Sequence, residues 1–249
     1  KIPLYLVEHD NYFNRPAPYG DGNHEYHDNA ERFSFFSHAA LDGIAGTGWK
    51  PDVVHCHDWP TAPIPLKLKT VFANHPFWKG VPSLYTIHNL AYQGRYGKEK
   101  IVSTGFGPEL FNPECLEYHG DLNLMKGAIT SADRISTVSP RYAREIQTIE
   151  YGEGLDGILR NRRSVLSGIL NGADYGLWDP KTDPHIPANY STADPSGKAV
   201  CKQAFQQELG LPEKDVPIFG IVSRLVWQKG IDLVMESVLG LPEDAAQIV

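Results

Sequence analysis

Short apolar runs of strand length alternate with amphipathic stretches of helix length along most of this chain of 249 residues. The apolar runs lie at residues 2–7, 52–57, 82–88, 134–138, 165–170 and 218–223. The helical patterns lie at residues 29–41, 59–68, 121–132, 140–147, 197–209 and 231–239. Continuous apolar runs are typical of parallel strands that are buried on both faces and joined by crossover helices. The pattern therefore predicts an α/β fold with a doubly wound sheet.

Turn-forming residues accumulate between positions 166 and 190, where Asn-Gly, Asp-Pro and Ile-Pro pairs follow one another. Such pairs favour turns and loops, so we predict a first domain of residues 1–165 and a second of residues 166–249. The chain begins with a strand-like run and stops at Val249, where another strand appears in the pattern. We therefore expect an internal fragment of a longer protein, with a truncated second domain.

The charge balance is acidic, with 30 Asp and Glu against 23 Lys and Arg and a formal net charge of -7. This balance disfavours sequence-independent binding to nucleic acid or to an anionic membrane. No apolar run reaches 18 residues and no leader pattern is present, so neither a membrane span nor a signal peptide is predicted. The three cysteines lie far apart and form no CxxC pair, which favours a reducing compartment without disulfides.

Residues 53–59, VVHCHDW, form an apolar run that ends in polar side chains. Alternation along a strand places His55 and His57 on one face. Ligands in open α/β sheets bind beyond the carboxyl ends of the strands, so we predict that Asp58 accepts hydrogen bonds from a polyhydroxyl ligand and that Trp59 offers its face to a sugar ring. Two alternatives stay open: a hydrolase-type metal site of His55, His57 and Asp58, and buried histidines bonded to the backbone.

Residues 84–94, LYTIHNLAYQG, repeat this architecture and place His88 and Asn89 at the mouth of the next predicted strand. A neutral histidine there can donate or accept a hydrogen bond toward a sugar hydroxyl. The alternative is a His-Asn pair that only caps the turn.

Residues 219–230 predict a third strand, a loop and a helix, with Arg224 leaving the strand and Lys229 near the start of the helix. Two cations beside a positive helix terminus predict an anion site suited to phosphate, with solvated surface cations as the alternative. Asn171 lies in an Asn-Gly turn at the predicted boundary, where a cleft between domains would open, although such turns are also common for backbone reasons.

Five motifs resemble, in the right order, the family of bacterial glycogen synthases and plant starch synthases. They are HCHDW (55–59), YTIHNLAYQG (85–94), STVSPRYAREI (136–146), GILNGADYGLWDP (168–180) and SRLVWQKGID (223–232). The resemblance spans nearly the whole chain and implies a fold of the GT-B type, in which two Rossmann-like domains face a cleft. It implies that the first domain is acceptor-side and that the second binds the nucleotide sugar. The implied reaction transfers glucose from ADP-glucose to the non-reducing end of an α-1,4-glucan (glycogen or starch), with retention of configuration.

The resemblance also implies roles for individual residues. His88 and Asn171 match residues that contact the donor glucose, and Arg224 and Lys229 match cations that hold the diphosphate. The implied catalytic residues are therefore His88, Arg224 and Lys229. The positions that match the sugar and acceptor side are Asp58, Trp59 and Tyr26.

Some elements of the family pattern have no counterpart here, namely the KxGGL loop over the donor phosphates, the acidic motif and the STGGL-like glycine turn. We therefore expect this chain by itself to be inactive. The resemblance implies no metal and no cofactor, since ADP-glucose is a co-substrate, and it implies a cytoplasmic location in a bacterium or a plastid location in a plant. A UDP- or GDP-sugar transferase of the same fold and a catalytically inactive glucan-binding fragment remain as alternatives.

Overall fold

The structure is a computed structural model that describes residues 2–22, 24–242 and 244–249. The chain divides into two compact units, Lys1–Gly172 (unit 1) and Ala173–Val249 (unit 2). Among the described residues, no helix combines the length and the apolar character needed to cross a membrane.

The helices and strands follow the alternation predicted from the sequence. The α-helices are α1 (Asp10–Phe13), α2 (Asn29–Thr47), α3 (Asp58–Thr61), α4 (Pro63–Lys69), α5 (Leu124–Ser131), α6 (Pro140–Glu145), α7 (Asp156–Asn161), α8 (Gly197–Glu208) and α9 (Ile231–Leu239). The strands are β1 (Val54–His57), β2 (Ser83–Ile87), β3 (Arg95–Gly97), β4 (Glu117–Tyr118), β5 (Asp121–Asn123), β6 (Arg134–Thr137), β7 (Leu166–Gly168), β8 (Ile218–Phe219) and β9 (Gln247–Ile248). Short 3-10 helices lie at Lys98–Thr104, Pro108–Leu110, Arg163–Val165 and Trp227–Lys229.

Unit 1 is built on a four-stranded parallel sheet with the strand order β1-β2-β6-β7. The strands β3, β4 and β5, which lie between β2 and β6 in the chain, form a small antiparallel sheet with the order β3-β5-β4. Unit 2 contains a parallel pair, β8 and β9. The α/β class with parallel strands is thus confirmed.

The central strands β2 and β6 contribute apolar side chains to the core of unit 1. Tyr85, Ile87 and Ile135 are fully buried, and so are Met125 and Ile129 of α5. Burial of side chains of this size stabilises the unit by about 1.5–3 kcal/mol each relative to exposure. The core therefore fixes the sheet whose carboxyl edge carries the polar motifs.

Two helix starts are set by local side chains. The Asn123 side chain accepts the backbone N–H of Lys126 and so caps α5. This cap explains why the predicted helix 121–132 begins only at Leu124, since residues 121–123 pair as β5 instead. The Ser139 hydroxyl caps α6 by accepting the backbone N–H of Tyr142, and Pro140 occupies the first helical turn.

The strand predicted at residues 2–7 is wrong. These residues form no strand, and Ile2, Leu4 and Leu6 are 95%, 81% and 82% exposed. A strand needs a hydrogen-bonded neighbour, and residues 2–7 do not pair with β1, the edge strand of the sheet. The predicted helix 59–68 is interrupted between α3 and α4, where Pro63 begins a new helical turn.

The division between the two units lies after Gly172, not after residue 165. The predicted strand at 165–170, which was expected to open the second domain, contains β7. β7 pairs with β6, with Thr137 opposite Gly168, and so belongs to the sheet of unit 1. The predicted strand at 218–223 is also shorter, because only Ile218 and Phe219 pair regularly with β9.

Candidate active site

The carboxyl ends of the parallel strands in unit 1 lie side by side and carry the polar motifs. His57 is the last residue of β1 and stands opposite Thr86 in β2, while Ile87 of β2 stands opposite Thr137 in β6. Asp58 and His88 directly follow β1 and β2. The predicted convergence of the HCHDW and HNLAYQG motifs at one edge of the sheet is therefore confirmed.

Asp58 ties the two strand ends together. Its Oδ1 atom accepts the backbone N–H of His88 at 2.8 Å and that of Asn89 at 3.4 Å. Asp58 itself has a φ of 54°, in the left-handed region, which an Asp tolerates better than most residues. The sequence predicted that this carboxylate binds a ligand hydroxyl. The structure shows that Oδ1 also accepts the hydrogen bonds that fix the start of the loop after β2.

His57 and His88 contact each other through their rings. His57 Nδ1 and His88 Nε2 are 2.9 Å apart, within hydrogen-bond distance. Both side chains are exposed, so the pair lies open to a ligand at the edge of the sheet. The sequence had suggested His57 as a metal ligand or as a buried histidine bonded to the backbone. The signal for this contact is the position of His57 as the last residue of β1.

His55 lies on the same face of β1 as His57, as predicted, with the two ring centroids 4.1 Å apart. Its Nε2 forms a 2.7 Å hydrogen bond with Thr86 Oγ1, and that hydroxyl bonds Ser136 Oγ at 2.6 Å. These hydroxyls extend the polar cluster from β1 across β2 to β6. They were not singled out from the sequence, because Thr and Ser are common inside strands.

The imidazoles of this cluster are electrostatically coupled. Partial burial lowers the pKa of His57, and the neighbouring His55 and His88 lower it further, whereas Asp58 raises it. Burial also lowers the pKa of His55, with a second contribution from His88. Both rings are therefore neutral at pH 7 and can each donate from one nitrogen and accept at the other.

Trp59 does not offer an open face to a sugar ring, contrary to the prediction. The residue is 6% exposed. Its ring packs edge-on against Phe33, with centroids 4.7 Å apart, and contacts Tyr19 and Tyr96. Gly94, at a φ of +63°, leaves the space that the Trp59 ring fills. Trp59 is thus part of the core beneath the site.

Tyr26, expected on the acceptor side, lies in the turn before α2. Its ring is 4.6 Å from the Arg15 guanidinium and 5.1 Å from that of Arg32. Arg15 also pairs with Asp28 at 2.6 Å, so the ring is held in a network of its own near the start of α2.

The remaining predicted residues lie at two places. Asn171 follows β7 at the end of unit 1 and is exposed. Arg224 and Lys229 belong to unit 2, where both are exposed. Lys229 ends the 3-10 helix Trp227–Lys229 and is separated from α9 by Gly230. Within the described part of the chain, neither cation forms a salt bridge.

The metal-site alternative needs at least three converging ligands. Across residues 2–22, 24–242 and 244–249, no group of three or more His, Cys, Asp and Glu side chains has the arrangement of a metal site. The His57 Nδ1 and Asp58 Oδ1 atoms, two of the potential ligand atoms of such a site, contact His88.

Comparison with known proteins places this geometry in a family. Residues 1–161 match the family described as starch synthase catalytic domain. The chain is 52% identical over 236 residues to a glycogen synthase of Geotalea uraniireducens, covering 94% of this chain and 49% of that protein. It is 50% identical over 233 residues to a glycogen synthase of Geotalea daltonii, covering 93% and 48% of the two chains.

A solved structure agrees. The catalytic domain of starch synthase IV from Arabidopsis thaliana, bound to ADP and acarbose, superposes with a TM-score of 0.81 at 35% identity, covering 90% of this chain and 47% of that one. The chain thus spans about half the length of the relatives that it matches, and the GT-B type of fold expected from the motifs is confirmed. By its sequence and its fold, this chain belongs to the family of starch synthase catalytic domains.

Proposed function

We propose that this chain is part of a glycogen or starch synthase that transfers glucose from ADP-glucose to the non-reducing end of an α-1,4-glucan with retention of configuration. The observation that carries the proposal is the cluster of His57, Asp58 and His88 at the carboxyl edge of the sheet, in a chain of the starch synthase family. Unit 1 would form the acceptor side, and unit 2 would contribute to the binding of the nucleotide sugar.

His88 is proposed to contact the donor glucose. Its backbone is held by Asp58, and its exposed imidazole lies at the carboxyl edge of the sheet. A positioned neutral imidazole can hydrogen-bond a sugar hydroxyl without transferring a proton. Asn171, exposed beyond β7, is proposed to contact the same sugar.

Arg224 and Lys229 are proposed to bind the diphosphate. Both cations are exposed, and they lie before the N-terminus of α9, which carries a partial positive charge. As the bond between glucose and ADP breaks, negative charge grows on the diphosphate. Cations that bind this charge best in the transition state accelerate the reaction.

The ligands of the Arabidopsis neighbour support the substrate classes. That protein was solved with ADP and acarbose, a nucleoside diphosphate and an oligosaccharide mimic. For the present chain we propose ADP-glucose and an α-1,4-glucan as partners, with no metal or other cofactor. Because the relatives are bacterial glycogen synthases, we propose the cytoplasm as the location.

The test uses the protein as its gene encodes it, incubated with glycogen and either ADP-glucose, UDP-glucose or GDP-glucose. We expect ADP release that depends on glycogen, and new α-linkages by NMR of the product. His88→Ala should lower turnover at least tenfold, since it removes a contact to the reacting sugar. The matched control is His38→Ala, because His38 is a partly exposed histidine on α2 that pairs with Asp42.

Preference for UDP- or GDP-glucose would contradict the donor that we propose. Glucan binding without turnover of any donor would contradict the reaction and favour a glucan-binding role. Hydrolysis that requires stoichiometric zinc would favour the metal-dependent alternative.

A further inference from the structure

The proposed function gives His88 a role but leaves His57, the residue bonded to the His88 ring, without one. His57 ends β1, and its Nδ1 lies 2.9 Å from His88 Nε2. The two rings are tilted by 36°, with centroids 5.2 Å apart, so the contact runs edge to edge between nitrogen atoms and is not a ring stack.

The imidazole of a histidine at the start of an exposed loop can rotate even when its backbone is held. The backbone of His88 is fixed by Asp58 Oδ1, but that bond does not restrain the ring. Rotation about the last side-chain torsion of histidine is broad and roughly two-fold. A second anchor on a ring nitrogen is therefore needed to fix the orientation of the His88 ring.

We propose that His57 is a positioning residue that supplies this anchor and holds the His88 ring in one orientation, with Nε2 facing His57. The role in catalysis rests on the function proposed for His88. With Nε2 engaged by His57, the Nδ1 atom of His88 is the nitrogen left for a ligand. His57 thereby determines which His88 nitrogen meets the sugar.

The N–H···N contact also sets a condition on protonation. One ring must donate and the other must accept, so the bond survives when the pair carries one extra proton and breaks when both rings are fully protonated. The other groups around the pair are Asp58, whose charge favours protonation of His57, and His55, whose charge opposes it. Thr86 and Ser136, from β2 and β6, are uncharged. The anchor is therefore present whenever at least one of the two rings is neutral.

Two variants of His57 distinguish the effect of its hydrogen bond to His88 from the effect of its ring shape. His57→Phe keeps a planar ring but has no nitrogen, whereas His57→Asn keeps a donor and an acceptor near the position of Nδ1. His38→Phe is the matched control, because it removes a histidine of α2 that is paired with Asp42 and not with His88.

Turnover of ADP-glucose is the first measurement, made on the protein as its gene encodes it. We expect His57→Phe to lower kcat about tenfold with less than a threefold change in the KM for ADP-glucose, since positioning acts on the reacting geometry more than on binding. His57→Asn and His38→Phe should stay within about threefold of the unaltered protein. An equal loss in both His57 variants would show that the hydrogen bond to His88 is not what the substitutions remove.

Nitrogen-15 spectra of the imidazole rings are the second measurement and need no activity. At pH 7.5 we expect the Nε2 resonance of His88 to carry the shift of a nitrogen bonded to its neighbour in the unaltered protein and in His57→Asn, and that of a solvent-exposed ring in His57→Phe. Unchanged His88 shifts in His57→Phe, or an Asn variant as impaired as the Phe variant, would overturn the proposal. If the unaltered protein turned over no donor at all, the proposed function would fail, while the spectra would still decide whether His57 fixes the ring.

Discussion

The Oδ1 atom of Asp58 accepts the backbone N–H of His88 at 2.8 Å. The residue that follows β1 thus holds the residue that follows β2, at the edge of the sheet where ligands of α/β proteins bind. Because hydrogen bonds to charged acceptors are worth about 1.5–3 kcal/mol, this single contact is strong enough to define the start of the His88 loop.

The first prediction concerns the carboxylate of Asp58. Asp58→Asn keeps an oxygen acceptor and tolerates the φ of 54°, so the free energy of unfolding should fall by less than about 1 kcal/mol. Asp58→Gly loses the acceptor without strain and should cost about 1–2 kcal/mol, and Asp58→Ala should cost most because strain is added. Urea denaturation measures the free energy of unfolding of each variant and so gives their order. Equal losses in all three variants would show that the hydrogen bond to His88 contributes little to stability.

The second prediction concerns the space beside Trp59. A Cβ atom on Gly94 would lie 2.9 Å from Trp59 Cε3, at a backbone φ of +63°. Gly94→Ala should therefore destabilise the protein by about 1–3 kcal/mol. Gly43→Ala is the matched control, because nothing lies within 4 Å of its added Cβ and it sits inside α2. In Gly43→Ala, the free energy of unfolding should rise by about 0.5–1 kcal/mol, as measured by urea denaturation. Similar effects at both glycines would refute the conclusion that Trp59 fills the space beside Gly94.

The third prediction is a pH dependence of stability. The pKa values of His57 and His55 are lowered in the folded protein by burial and by neighbouring imidazoles, whereas in the unfolded chain they return to about 6.5. As the pH falls through 6.5, the unfolded state binds protons first, so the free energy of unfolding decreases until the lowered pKa values are passed. His57→Phe should make this decrease shallower. The free energy of unfolding is plotted against pH for the unaltered protein and for His57→Phe. Plots that stay parallel between pH 8 and pH 5 would contradict a contribution of His57 to the pH dependence.

The fourth prediction concerns the diphosphate cations. Arg224→Ala and Lys229→Ala should each lower turnover of ADP-glucose at least tenfold, because each removes a charge-assisted contact worth about 1.5–3 kcal/mol. Arg163→Ala is the control, since Arg163 is an equally exposed arginine on a 3-10 turn of unit 1. Initial rates at saturating glycogen provide the measurement, and near-normal rates in both variants would remove these residues from the site.

The fifth prediction concerns local stability in the chain of 249 residues. In unit 2, α9 contains no buried residue, and Val222, Leu225 and Trp227 are exposed, whereas α5 of unit 1 is buried along most of its length. Backbone amides of α9 should therefore exchange with solvent faster than those of α5. Hydrogen exchange followed by mass spectrometry tests this difference, and equal protection of the two helices would disprove it.

Local patterns in the sequence were sufficient for much of the secondary structure. α9 has the predicted bounds, and β1, β2 and β6 lie inside the predicted strands, because apolar periodicity and turn formers act over a few neighbouring residues. The order of five motifs was also enough to identify the family. The placement of His57, Asp58 and His88 at one edge followed from the rule that parallel strands align their carboxyl ends.

Tertiary structure decided what depends on distant partners. Residues 2–7 have a strand pattern but do not pair with the sheet, β7 joins the sheet of unit 1, and Trp59 is enclosed by Phe33 and Tyr96. The hydrogen bonds that link His88 with Asp58 and His57 span about 30 positions of the chain. The sequence by itself determined which residues have strand, helix and ligand-binding character. Only the fold decided which of them are paired, buried or presented, because strand pairing and side-chain burial depend on contacts between segments far apart in the chain.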